Sequence, residues 1–396
     1  MMGIEEEFYV FPTYDSKNIV NIPSFVSRIF GVKANKCIDK KLTKSFKGYK
    51  NVVLFILDGF GYSLLEYVKD VFEFTKNFEK EGTITKLTST FPSSTAPAVV
   101  SIFTGKTPIE HGVVEWYTYV EKIRSVIEAI PLTTIEKIKL SEKEFKHSNF
   151  FYSTTIFQRL KKVGVESFYL VSRFYAQSSF SKFLSKGGKV VPFISYGDIP
   201  TLVKSVVSKE GKKFVIVYLD MPDSLEHFYN FGNEVLLELS LFDRIFSVLR
   251  KEVNDTLFLL TADHGGTTVS KFINIERIKV VRESLERKGK RVIPPYGWCR
   301  SIFLRLKKSK VKTTFETLER KLKGYASVYL SEDLISKGVF GPRNGKFSQR
   351  FGDVIVVPKK GVAIYSNYMK NVKKFNGFHG GLSLEEMLVP FGILAV

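Results

Sequence analysis

The stretch Val52-Val53-Leu54-Phe55-Ile56-Leu57-Asp58-Gly59 decides the fold class. Its apolar run is short, rich in β-branched and aromatic residues, and shows no polar alternation. It fits a strand covered on both faces. A carboxylate at the carboxyl end of such a strand sits where open α/β sheets hold their ligands. Taken alone, Asp58 followed by a glycine reads more simply as a helix cap or a turn aspartate.

Three more runs of the same kind lie further along, Ser167 to Val171, Phe214 to Leu219 and Leu257 to Leu260. Between them, Thr155 to Val163 and Leu236 to Leu249 repeat apolar residues at helical spacing. Strand and helix in alternation imply an α/β fold, a mostly parallel sheet flanked by helices on both faces. Two stretches break the rhythm. One, near 113–148, is charged and irregular. The other, 270–375, holds Pro294-Pro295, a Lys-rich helix near 313–323 and the segment Gly341-Pro342-Arg343-Asn344-Gly345. The expected organisation is a core of 1–269 and 376–396 with a small insertion near 113–148, and an inserted cap over 270–375. The cap is expected to set substrate choice without supplying metal ligands. Glu385 to Val396 reads as a return to the core.

With 396 residues the chain can bury a sizeable core, and 44% hydrophobic against 25% charged residues is a globular balance. No apolar stretch approaches bilayer length. Glu5, Glu6 and Glu7 stand where a signal peptide would place basic residues. A cytoplasmic protein with no membrane partner is therefore expected. Cys37 and Cys299 are too few for a disulfide framework or a thiolate metal site, so any metal must be held by histidine and carboxylate. The formal charge of +20 comes from basic residues scattered in pairs such as Lys161-Lys162 and Lys307-Lys308. That pattern fits a solvated surface that attracts an anionic small molecule better than a specific nucleic-acid site.

The chemistry-bearing residues fall in separate segments. In FPSSTAPAVVSIFTG (Phe91 to Gly105), Thr95 stands before Ala96, Pro97 and an apolar helical run. Proline in a first helical turn costs no hydrogen bond. Thr95 therefore sits near a helix N-terminus, with the Ala96 amide free to donate to a phosphate. Read alone, Thr95 is a helix cap. In YLDMPDSLEH (Tyr218 to His227), Asp223 and His227 share a helix face if a helix starts near Pro222. That carboxylate–imidazole spacing suits zinc, with Asp220 as a rival ligand. In LFLLTADHGG (Leu257 to Gly266), Asp263 and His264 follow another buried strand, and two glycines let the backbone turn close past a ligand. His379 sits beside two more glycines in FHGGLSLEEMLVP. His111 is expected to be structural and His147 an exposed bystander. Three of five histidines and three aspartates thus fall at strand ends or glycine turns, enough to hold two metals with positions left open.

Together these segments resemble the alkaline phosphatase superfamily, specifically the type I phosphodiesterase/nucleotide pyrophosphatase family. The resemblance runs through ILDGFG (56–61), FPSSTAPAVVSIFTGKTPIEHGV (91–113), YLDMPDSLEH (218–227), TADHGG (261–266) and FHGGLSLEEMLVP (378–390), in the family's order. It implies a metal-dependent phosphate-ester hydrolase with two zinc ions, manganese being the alternative. Asp58, Asp263, His264 and Thr95 would hold one ion, and Asp223, His227 and His379 the other. It also implies Thr95 as the nucleophile, a phospho-threonine intermediate and an anionic phosphate-ester substrate, a nucleotide among the candidates. Where family members acting on nucleotide diesters commonly carry an Asn that binds phosphate, this chain has Ala98. Arg300, Arg343 and Arg350 are further candidates for phosphate contacts. A phosphomonoesterase or phosphonate hydrolase on the same scaffold is the alternative reading. A non-catalytic basic nucleic-acid-binding protein is the most distant one, since the six ligands and Thr95 are all present.

Overall fold

In a computed structural model, residues 9–34, 38, 45–46, 48–141, 143–145, 150–151 and 153–396 are described. Cys37, His147 and the Glu5–Glu7 run lie outside these residues. The run opening at Val52 is the central strand, Asn51–Leu57, buried along its whole length. It pairs in parallel with Lys213–Leu219 on one side and Thr256–Thr261 on the other. Glu166–Ser172 and Lys189–Phe193 extend the sheet in parallel. On the far side Leu388–Ala395 runs antiparallel between Thr256–Thr261 and Thr83–Thr88, so it alone opposes the other six strands. Continuous apolar strands fit this position because helices cover the sheet: Phe242 and Phe246 of helix Asn233–Glu252 pack their rings against Phe55. Glu385 to Val396 returns to the core as expected, as this reversed strand.

The two irregular stretches are not separate features. Tyr117–Val120, Ser125–Glu128 and Thr133–Thr134 come from the first. Tyr296–Trp298, Ser301–Leu304, Ala326–Leu330 and Val354–Pro358 come from the second. They form one antiparallel seven-stranded sheet, joined where Gly297 pairs with Tyr117. Pairing over so long a separation leaves no local pattern, which is why the stretches read as independent insertions. This second sheet has its own apolar cluster, including Tyr296, Phe303 and Val356. A three-stranded sheet of Gly361–Tyr365, Thr267–Asn274 and Gly377–Phe378 sits beside both and carries His379 at its end.

Candidate active site

Register explains why the acids meet. Leu57 pairs with Leu219 and Ile56 with Thr261, so Asp58, the Asp220–Asp223 turn and Asp263 leave three neighbouring strands at one edge. Helix Met221–Tyr229 starts at once, with Pro222 in its first turn, and carries Asp223 and His227 on one face. Two glycine loops fit backbone against backbone: a Cβ on Gly265 would lie 2.2 Å from the Glu385 carbonyl and 2.7 Å from Gly61 Cα. No residue with a side chain fits there, which is the physical content of Gly61 and Gly265.

The six candidate ligands converge. His227 Nε2 lies 3.3 Å from Asp223 Oδ2, and His379 Nε2 lies 3.8 Å from Asp223 Oδ1. His264 Nε2 is 3.5 Å from both Asp58 Oδ1 and Asp263 Oδ2. Donor atoms of Asp58, Asp263 and His264 lie within 4.8 Å of one another, as do those of Asp223, His264 and His379. His264 thus stands between the two groups. Thr95 Oγ1 is 3.0 Å from His264 Nε2, at the first residue of helix Thr95–Thr104. The outer ring nitrogens of His227 and His264 face the Gly377 and Gly265 carbonyls at 2.9 Å and 3.1 Å, which turns each Nε2 toward the site.

The electrostatics call for a cation. Asp58, Asp263 and Glu226 are buried: burial and then repulsion from acidic neighbours raise Asp58 and Glu226 above their usual range, and burial outweighs the opposing His264 to raise Asp263 as well. Burial acts the same way on Asp223, but His227 and His379 outweigh it and hold that carboxyl well below its usual range. Burial would lower His227, yet Asp223 lifts it to about 9. Asp58 Oδ1 and Asp263 Oδ2 are buried and accept no hydrogen bond. No lysine or arginine pairs with these acids among the described residues. Two orphaned carboxylate oxygens facing imidazole nitrogens form a donor set that suits one or two divalent transition-metal ions.

A cavity of about 430 Å³ opens over these residues. Thr95, Asp58, Asp223, His227 and His379 lie at its base, and Trp116, Tyr117, Trp298, Tyr175 and Phe375 line its walls. The second sheet and the residue before its strand Tyr117–Val120 supply Tyr117, Trp298 and Trp116, with the Trp298 ring 5.9 Å from Tyr117 and 6.4 Å from Trp116 across the joint at Gly297.

A protein-family comparison bears on the same residues: residues 52–382 match the model of type I phosphodiesterase/nucleotide pyrophosphatase. The chain belongs to that family. No curated protein sequence matches it. Among solved structures, murine ectonucleotide pyrophosphatase/phosphodiesterase 5 aligns at 18% identity over 87% of this chain and 88% of that one, with a TM-score of 0.64. An inactive form of the murine protein in complex with AMP aligns at 17% identity. Phosphonoacetate hydrolase from Sinorhizobium meliloti 1021, in complex with phosphonoformate, aligns at 17% over 88% and 91%, also at 0.64. At these identities the likeness is one of fold.

Within this type I phosphodiesterase/nucleotide pyrophosphatase chain, several candidates lie elsewhere than expected. Ala98 is fully buried in the main core, its amide donating to the Ser94 carbonyl at 3.0 Å, and Val99 lines the cavity instead. Ala98 is thus packed into the main cluster and does not line the cavity. Arg300 is buried and fully engaged by Glu386 and by the Lys359 and Val362 carbonyls. Arg350 is buried against Phe347 and donates to the Gly112 carbonyl. Neither lines the cavity, and Arg343 is exposed away from it. His111 is structural as expected: it accepts from Val113 N at 3.1 Å, meets Ser101 Oγ at 3.1 Å, and burial lowers it to about 3. The Ala96 amide lies in the first helical turn, where no intrahelical acceptor exists.

Sequence reading missed Tyr218. Its hydroxyl donates to Asp58 Oδ2 from the penultimate position of the adjacent strand Lys213–Leu219. The available signal was a tyrosine placed one residue before the end of a buried apolar run. Cys299 is a buried free thiol within the second sheet's cluster. No described helix is long and apolar enough to cross a membrane.

Proposed function

We propose that the chain hydrolyses phosphate diesters, with Thr95 as the nucleophile and two zinc ions as cofactors. The observation that carries this reading is the convergence of Thr95 with three aspartates and three histidines, of which Thr95, Asp58, Asp223, His227 and His379 line one cavity. Asp58, Asp263 and His264, with Thr95 Oγ1, would hold one ion, and Asp223, His227 and His379 the other. Bound there, the ions would supply Lewis acidity, lowering the pKa of an attacking oxygen and neutralising charge on phosphorus ligands.

The chain's own groups do the rest. The helix beginning at Thr95 directs its N-terminal dipole and the Ala96 amide toward a phosphate oxygen. Tyr218 fixes the rotamer of Asp58, and the Gly377 and Gly265 carbonyls fix those of His227 and His264. The aromatic walls would receive the organic group of the ester and exclude water from the base of the cavity. Their size favours a diester with a bulky group over a small phosphonate. Attack by Thr95 on phosphorus would break the bond to that group, which leaves as an alcohol carrying the threonine proton, and would leave a phospho-threonine still esterified by the second group; water would then cleave it, releasing a phosphate monoester and restoring the hydroxyl. Trp298, Lys370 and Phe375, from the stretch 270–375, would set substrate choice.

The test is a turnover profile with 4-nitrophenyl mono- and diesters, with zinc or manganese added. The reading expects chelator-sensitive turnover with the diester preferred. Full activity in chelator would overturn the metal assignment, and monoester preference the diester one.

A further inference from the structure

An exposed apolar rim borders the catalytic cavity, on loops that leave one edge of the main sheet. Strands Glu166–Ser172, Lys189–Phe193 and Lys213–Leu219 are parallel neighbours, with Ser172 paired to Phe193 and Leu170 to Val217. Their carboxyl ends therefore lie together. Phe174 follows the first strand and is 77% exposed, and Ile194 follows the second at 68%. Met221, also exposed, follows the third and is tied to the second loop through its amide, 3.0 Å from Tyr196 Oη. Phe228 and Tyr229, at 50% and 51%, end the helix that carries Asp223 and His227. The rim meets the mouth at two points. Tyr175 lines the cavity next to Phe174, and the Phe228 ring lies 5.2 Å from that of Phe375, which also lines it.

The charge on this rim is positive. The Arg173 guanidinium lies 5.3 Å from the Phe174 ring centre, and the segment ending at Phe375 carries exposed Lys370, Lys373 and Lys374. Of the carboxylates on the same loops, Asp198 and Asp220 are half-buried and engaged locally, and the exposed Glu234, five residues after Tyr229, is outnumbered by Arg173, Lys370, Lys373 and Lys374. Asp198 accepts from the Ile194 and Ser195 amides, each at 3.0 Å, and Asp220 accepts from Tyr175. Exposed aromatic and aliphatic side chains flanked by Lys and Arg are the chemistry of the headgroup–acyl boundary, where the apolar groups enter and the cations meet anionic lipid. Isolated exposed hydrophobics need no explanation, but a group of them around a functional mouth does. A contact of this kind leaves no long apolar run in the sequence, so the search for a spanning segment passes over it.

We propose that this rim seats the protein on an anionic lipid bilayer, with the catalytic cavity opening at headgroup level. The test is co-sedimentation of the full chain with vesicles of phosphatidylcholine alone and of phosphatidylcholine with phosphatidylserine. It compares the unaltered protein with the variant Phe174→Ser/Ile194→Ser/Tyr229→Ser, none of whose positions lines the cavity. The unaltered chain should bind the anionic vesicles and be released by salt. The variant's partition should fall at least about tenfold. Turnover of a soluble 4-nitrophenyl ester, measured beside it, should be equal in both proteins. Failure of the hydrolase reading would show there, as no turnover in either, and leave the binding result standing. Absence of vesicle binding by the unaltered chain, or equal binding by the variant, would overturn the proposal. So would concentration-dependent self-association that the substitutions abolish while vesicle binding persists, since the rim would then be a contact between copies.

Discussion

The buried pair Arg300–Glu386 links the second sheet to the ligand-bearing loops, and its removal has a calculable cost. Arg300 stands in the turn between Tyr296–Trp298 and Ser301–Leu304. Its Nε and Nη2 donate to the two oxygens of Glu386 at 2.9 Å and 2.8 Å, with both side chains fully buried. Glu386 Oε1 also accepts from Gly381 N at 2.9 Å, and its main-chain carbonyl accepts from Gly265 N at 3.0 Å. One residue thereby fastens the loops that follow His379 and His264. Arg300→Met leaves a buried carboxylate whose remaining donors are main-chain amides, so it should cost about 3–5 kcal/mol. That is a large share of the roughly 5–15 kcal/mol that stabilises a typical domain. Adding Glu386→Gln removes the stranded charge, while the glutamine carbonyl still accepts from Gly381 N. The double variant should therefore be more stable than Arg300→Met alone, by at least about 1 kcal/mol. Urea unfolding followed by circular dichroism measures both. If the double variant loses the sum of the two single losses, the pair is not coupled and the reasoning fails.

Three further outcomes are expected. Tyr218→Phe removes the donor that orients Asp58 and should lower metal affinity or turnover about 10–100-fold with the fold intact, as metal titration and kinetics would show. Burial lifts the Glu115 carboxyl to about 8 from its ordinary 4.5, against the opposing Trp116 amide, so the native state holds this proton more tightly than the unfolded chain. Its stabilising effect is full below pH 4.5 and is lost as pH rises through about 8. Glu115→Gln should accordingly raise stability at pH 9 relative to pH 5 by at least about 1 kcal/mol, and an equal effect in melts at both values would refute the shift. Ala98→Asn places an amide in the main core and should destabilise by about 1–3 kcal/mol without changing the diester-to-monoester ratio; a raised ratio in a stable variant would return this position to the site.

The parallel half of the fold was legible because its strands are buried on both faces. Asn51–Leu57 and Lys213–Leu219 then read as unbroken apolar runs, each ended by an aspartate. The ligands were legible for the same reason, since a run that stops at Asp or Asp-His-Gly marks the functional edge of the sheet. The antiparallel sheet was not. Its strands are two to five residues long, and the joint between Tyr117 and Gly297 spans 180 positions of sequence. The aromatic cavity walls depend on that joint and were hidden with it. The arginines misled because a guanidinium signals phosphate only where it is free to reach one. Arg300 is held by a carboxylate and two carbonyls, which no local pattern discloses. Ala98 misled because a family position was carried over without the packing that buries it in the core cluster, which no local pattern discloses.

Turnover of a 4-nitrophenyl diester by Thr95→Ala tests the central claim most directly. At Thr95 the two readings of the site part cleanly: as nucleophile its loss stops the chemical step, and as the first helical residue, after the Ser94 cap, its loss costs no more than about 1 kcal/mol of stability. The account predicts a folded variant whose turnover falls at least about a hundredfold, with Thr95→Ser retaining part of the activity because it keeps the attacking oxygen. Near-normal turnover by Thr95→Ala, whatever its stability, would contradict it.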